Sequence, residues 1–236
     1  MTHPFAASIK KLALEPGVLF PVANVFTFMQ TDNRLAVGLA VANVVFSVIA
    51  ALRTSVRFSP LLITACMVFL SGLCSLWSGA VLAGMAGFVF ATGAYFSANK
   101  RIMDALQNPD VAPMIKVATH PAVYFGIGYI VTGMMAGGGI GLLTHPFDNL
   151  SALIMVGFGA ATIIMASVGL ALNLLKSSIP FWIQAAGTGI NALAGLVVGN
   201  WVGAASCTFS MLGTLRLALL THTATKQSFS GEHHGF

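Results

Sequence analysis

The chain has 236 residues, of which 57% are hydrophobic and only 7% are charged, and its mean hydropathy is +0.88. So few charges cannot cover the surface of a water-soluble domain of this length, which excludes a soluble enzyme. The net charge of +5 does not point to nucleic acid, because the lysines and arginines are dealt out one or two at a time between apolar runs and form no patch.

The apolar runs are continuous, not alternating, so helices are expected and a β-barrel is not. The predicted fold is an all-α, polytopic membrane protein of eight spans. In chain order these are 17–30, 35–52, 60–77, 80–98, 121–140, 150–172, 180–198 and 202–220. The first is short and holds Pro21. The runs 60–98 and 180–220 are each too long for one crossing. Both break at turn signals, Trp77-Ser78-Gly79 and Gly199-Asn200-Trp201.

The chain reads as two tandem copies. An offset of 120 residues lays 40–79 on 160–199 and matches Ala40 with Ala160, Ser47-Val48 with Ser167-Val168, Pro60 with Pro180, and Gly79 with Gly199. The segments before the copies also correspond: Ile9 to Pro16 parallels Met114 to Pro121, each an interfacial stretch leading to a proline at the first turn of a helix. Asp32-Asn33 and Asp148-Asn149 are matching helix caps. The predicted organisation is a first four-helix repeat over 1–98, a cytoplasmic linker over 99–118, a second repeat over 119–221 and a polar, disordered tail over 222–236. The glycine-rich loop 136–147 is particular to the second copy.

With the N-terminus inside, ten of the eleven lysines and arginines fall in inner segments and only Arg34 falls outside. That bias predicts an N-in, C-in topology. An even number of spans per copy predicts a parallel repeat, its halves related by rotation about the membrane normal. Short loops and the charge bias fit a bacterial inner membrane.

No Asp, Glu, Lys or Arg lies deep in a predicted span, which argues against a proton- or sodium-coupled pump. The sequence holds no phosphate-binding loop, calcium loop, zinc-protease or esterase motif, and no cofactor or metal site is expected. The three cysteines, Cys66, Cys74 and Cys207, lie singly in apolar runs and read as buried residues. Two stripes of small and polar residues run at four-residue spacing, Ser71, Ser75, Gly79, Ala83 and Gly187, Asn191, Gly195, Gly199, Gly203. Asn24, Asn43, Asn173 and Gln184 are further amides inside the spans. Asn24, Asn43, Ser71, Ser75 and Asn191 are the candidate solute-binding residues; close helix packing is the alternative for each. Glu15 and His120 hold equivalent positions before Pro16 and Pro121 and are candidate gating residues.

Two functions follow. One is a transporter or facilitator of an uncharged, small polar solute bound between the repeats. The other is a non-catalytic accessory, assembly or scaffold subunit that meets a membrane-protein partner or a second copy through its small-residue faces. An enzyme is not expected, because no nucleophile, acid and metal can be assembled from these residues. The lipid bilayer is a partner under either function; nucleic acid is not.

Overall fold

The computed structural model describes residues 15–30, 33–52, 59–136, 150–172, 178–197 and 199–231. Within them the chain forms ten helices: α1 (Pro16–Met29), α2 (Arg34–Leu52), α3 (Pro60–Trp77), α4 (Val81–Ala98), α5 (Lys100–Gln107), α6 (Pro113–Thr119), α7 (Pro121–Ala136), α8 (Leu150–Ala171), α9 (Ile179–Val197) and α10 (Trp201–Gly231). The interfacial stretch before Glu15, most of the glycine-rich loop, Asn173, Asp32 and Asp148-Asn149 lie outside the described residues.

The helix boundaries follow from local chemistry. Proline is the first residue of α1, α3, α6 and α7, where its missing N–H would have no partner in any case. The Ser59 hydroxyl oxygen accepts from the Leu61 N–H at 3.3 Å and caps α3. Asn33 caps α2, its Oδ1 accepting from the Ala36 N–H at 3.1 Å. Its Nδ2 donates to the Ser78 hydroxyl at 2.7 Å and to the Cys74 carbonyl at 3.2 Å, so one side chain fastens the start of α2 to the end of α3.

The α3–α4 and α9–α10 hairpins turn in the same way. Gly79 has φ 81° and Gly199 has φ 77°, a left-handed conformation that costs a residue with a Cβ about 1 kcal/mol or more. At each turn the next residue donates five positions back, Ala80 N–H to the Ser75 carbonyl and Asn200 N–H to the Gly195 carbonyl, both at 2.8 Å. Trp77 and Trp201 flank these turns and are strongly exposed, as suits side chains at headgroup level.

The eight longer helices close a circuit. α1 packs on α2, α2 on α3, α3 on α4, α4 on α7, α7 on α8, α8 on α9, α9 on α10, and α10 returns to α1. Small residues let neighbours approach: a Cβ built on Gly159 would sit 2.7 Å from the Gly126 carbonyl oxygen, where α7 crosses α8. We call the end where α1, α3, α7 and α9 begin the proline end, and the end of Gly79 and Gly199 the turn end. The outward faces are apolar, with Val41, Val45, Phe46 and Ile49 of α2 exposed.

Among the described residues, five helices are long and apolar enough to cross a membrane, or six if α6 and α7, bent by 50° at His120, form one span. Several such helices are compatible with an integral, multi-pass membrane protein. Each of the eight runs contains one helix among its described residues, but three differ from simple spans. α1 has 14 residues. α9 has 19 residues but carries Gln184, Thr188 and Asn191. α7 reaches spanning length only together with α6.

Two further departures have local causes. The linker expected over 99–118 contains α5 and α6, because Asn99 caps α5 through the Ile102 N–H at 3.3 Å and Pro113 opens α6. The last helix continues to Gly231 and takes in residues 222–231 of the segment expected to be disordered; no proline or glycine stands between Gly213 and Gly231 to end it sooner.

Candidate functional site

The circuit of helices leaves space at its middle, and that space has a closed and an open end. The closed end is the proline end. Phe20 of α1 stacks on Phe125 of α7 with ring centroids 5.4 Å apart. Phe125 also meets Phe181 of α9 at 6.4 Å and Phe90 of α4 at 6.3 Å. Leu61, Ala122, Leu170, Leu217 and Ala218 complete this apolar cluster. Four rings from four helices plus aliphatics fill that end with apolar side chains.

Above the stack lies a narrow chamber of about 30 Å³, room for roughly one water. Phe20, Phe90, Phe125 and Tyr129 bound it from below and the side; Asn24, Thr27, Thr64, Thr132, Ser206 and Ser210 supply polar atoms. Towards the turn end it widens into a cavity of about 240 Å³ lined by Thr27, Gln30, Thr132, Met155, Asn191, Asn200, Ser206 and Cys207, among others. The two share Thr27, Thr132, Met155, Ser206 and Cys207. Among the described residues, no Asp, Glu, Lys, Arg or His lines either one. The larger cavity lies below the range of about 300–1,000 Å³ usual for drug-sized ligands, so it suits a solute of few heavy atoms. A bigger groove of about 460 Å³ runs along the outside of α3 and α4, lined by Leu62, Phe69, Leu70 and Tyr95. Its lining is that of a surface against acyl chains.

The polar groups around the chamber are held by neighbours. The Thr132 hydroxyl donates to the Gly128 carbonyl at 2.8 Å, and the Thr64 hydroxyl to the Pro60 carbonyl at 3.1 Å. Thr27 and Ser206 bond to each other at 2.7 Å, and both approach the Ala23 carbonyl, at 3.1 Å and 3.2 Å. Ser210, Thr214 and Gln184 are the hydrogen-bonding neighbours of the Tyr129 hydroxyl. Behind them the Thr162 hydroxyl donates to Gln184 Oε1 at 2.7 Å. Asn191 Nδ2 donates to Cys207 Sγ at 2.9 Å.

The sequence-derived candidates divide between two places. Asn24 lines the narrow chamber and makes no side-chain hydrogen bond among the described residues. Asn191 lines the wide cavity. Asn43, Ser71 and Ser75 are fully buried and line none of these spaces. Ser71 donates to the Met67 carbonyl at 3.0 Å and Ser75 to the Ser71 carbonyl at 2.9 Å. Asn43 Oδ1 accepts from the Ser47 hydroxyl at 3.2 Å. Their side chains are placed within the helix packing of the first half, and the structure brings only Asn24 and Asn191 to the central space.

Glu15 and His120 stand before α1 and α7 at the proline end. Glu15 is half-buried and its carbonyl accepts from the Val18 and Leu19 N–H groups. His120 is fully buried. Its Nδ1 accepts from the Ala122 N–H at 3.1 Å, and its ring lies 5.6 Å from that of Phe181.

Sequence reasoning missed Phe20, Phe125, Thr27, Thr132, Tyr129 and Ser206. A signal for four of them was present. Phe20 and Phe125 each follow a matched proline by four residues, and Thr27 and Thr132 follow the same prolines by eleven. Tyr129 takes the place in α7 that Asn24 takes in α1.

No protein-family model matches the chain, and comparison with curated proteins and with solved structures gives no match.

Proposed function

We propose that this protein is a non-catalytic transporter or facilitator for a small, uncharged polar solute, built from two tandem four-helix repeats with the solute site between them. The observation that carries this reading is the central cavity, open towards the turn end, lined by neutral polar groups and closed at the proline end by the Phe20–Phe125 stack. A protein that only packs against partners has no need of an uncharged polar funnel ending on an aromatic plug.

The tandem arrangement is supported by the matching turns at Gly79 and Gly199 and by the way the circuit closes. α4 meets α7, and α10 meets α1, so the corresponding helix of each half meets the first helix of the other. The charge bias supports N-in, C-in spans in a bacterial inner membrane, with the turn end outside. In this arrangement the solute enters from outside, reaches the chamber past Asn191 and Ser206, and is released when the halves rock and the aromatic stack parts. Glu15 and His120 flank that stack in sequence and are assigned to its opening. The alternative, an accessory subunit, draws on Ser71, Ser75 and the glycines of α3 and α4, which serve close packing; a Cβ on Gly87 would lie 2.9 Å from Gly72 Cα.

The test is thermal stabilisation of the purified protein across a panel of neutral polar solutes, with Asn191→Leu alongside. A solute at 100 times its Kd stabilises by about 2.7 kcal/mol. The expected result is a solute that raises the Tm of wild type and not of the correctly folded leucine variant. An unchanged Tm throughout the panel argues for the accessory role.

A further inference from the structure

Four hydroxyl groups of the chamber, those of Thr27, Thr64, Thr132 and Ser206, share one feature: each of their protons is already used. Thr132 and Thr64 donate to carbonyls of their own helices. Thr27 and Ser206 have two protons between them, one for the bond that joins them and one for the Ala23 carbonyl. A hydroxyl has one proton and two lone pairs. Once the proton is spent on a helix carbonyl, only lone pairs remain for the cavity. Cys207 Sγ likewise accepts from Asn191. The rest of the wall includes Phe20, Phe90 and Phe125, whose ring faces are electron-rich. The uncommitted Asn24 amide stands among these groups and offers both a donor and an acceptor.

We propose that the junction of the chamber with the wide cavity, where Thr27, Thr132 and Ser206 line both, selects a small neutral solute that donates hydrogen bonds through N–H groups, the primary-amide and urea class. This rests on the transport reading above and adds the chemistry of the cargo. A solute with acceptors alone would lose its hydration and face oxygens it cannot bond, a cost usually larger than the gain from any one bond made. A primary amide places two N–H groups against the Thr27, Thr132 and Ser206 oxygens, and the Asn24 amide donates to its carbonyl. A polyol brings two lone pairs for every proton and leaves most of the former without donors. A cation is disfavoured because no carboxylate among the described residues lines the space.

Two isomers separate the alternatives. Propionamide and N,N-dimethylformamide have the same atoms and nearly the same volume, but the first has two N–H donors and the second none. In a Cys66→Ala, Cys74→Ala background, Cys207 is the one thiol left, and its reaction with methyl methanethiosulfonate reports occupancy of the chamber. Propionamide is expected to slow this reaction by about fivefold more than its isomer at equal concentration, the worth of roughly one net hydrogen bond. Thr132→Val, with Thr132→Ser as the conservative control, is expected to remove that discrimination while the serine variant keeps it. Equal protection by the two isomers, or protection by neither, overturns the proposal. Propionamide flux in the same proteoliposomes keeps the two claims apart. Discrimination without flux supports the donor-selective site and overturns transport; flux without discrimination does the reverse.

Discussion

Cys207 is expected to react with a membrane-impermeant methanethiosulfonate supplied at the turn end at least about tenfold faster than at the proline end. The modified protein is expected to lose most of its solute flux. The thiol is 4% exposed, yet it lines both the chamber and the wide cavity, so its small exposure is to the inside of the funnel. Cys66 is exposed and lines the groove outside α3 and α4, and Cys74 is half-buried. Replacing both with alanine leaves the central thiol to report alone. The space around it is about 240 Å³, and a charged sulfonatoethyl group anchored there fills the narrowest approach to the chamber. Cys207→Ala treated in the same way should keep its flux. Labelling at equal rates from the two sides, or flux that survives complete modification, would contradict the position given to the cavity.

Phe125→Ala is the substitution with the largest expected effect on both stability and closure. Phe125 is 3% exposed and contacts Phe20, Phe90 and Phe181. Truncating a buried Phe in a water-soluble protein costs about 3–5 kcal/mol through lost transfer energy and lost packing. In a bilayer the transfer part is largely absent and the packing part remains, so the lower end, about 3 kcal/mol, is expected. The same change removes the ring shared by the three Phe–Phe pairs of the stack. Cys207 should then become reactive from that end as well. Phe125→Leu refills part of the volume and should recover much of the stability. Chemical denaturation in detergent checks the first effect and two-sided labelling the second. A variant that is destabilised but still closed would show that Leu61, Leu170 and Leu217 suffice as the plug.

How much of this could be read from the sequence differs by level. Helix positions were legible because their signals are local: prolines at first turns, Ser59 and Asn33 as caps, and glycines where the chain must turn with positive φ. The helices within 99–118 carried the same kinds of signal, Asn99 and Pro113, but their low apolar content made them read as linker. The end of α10 was misplaced for the converse reason. Polarity rises after Thr221, and polarity marks the end of a membrane run without ending a helix.

The site was less legible. Asn24 and Asn43 are the same residue type in equally apolar surroundings, and one faces the central space while the other is buried with Ser47 in the packing of α2. Only the tertiary arrangement separates them. Ser71 and Asn191 match under the 120-residue offset, yet Ser71 bonds back to Met67 while Asn191 reaches Cys207 across to α10. A matched position does not carry a matched role when one copy holds a hydroxyl that its own helix can satisfy and the other an amide that it cannot. The threonines of the chamber were passed over because a threonine in a membrane helix usually bonds four residues back. They do so here too; their contribution to the cavity is what remains after that bond.

The central claim is that a neutral polar path through the middle of the helix circuit carries a small uncharged solute. Stopped-flow flux of propionamide in proteoliposomes tests it most directly, with protein-free vesicles of the same lipid as the baseline. Flux above that baseline, scaling with the amount of protein and abolished by modification of Cys207, is the predicted result. Flux equal to that of protein-free vesicles, from protein whose Cys207 still reacts through the turn end, would contradict it.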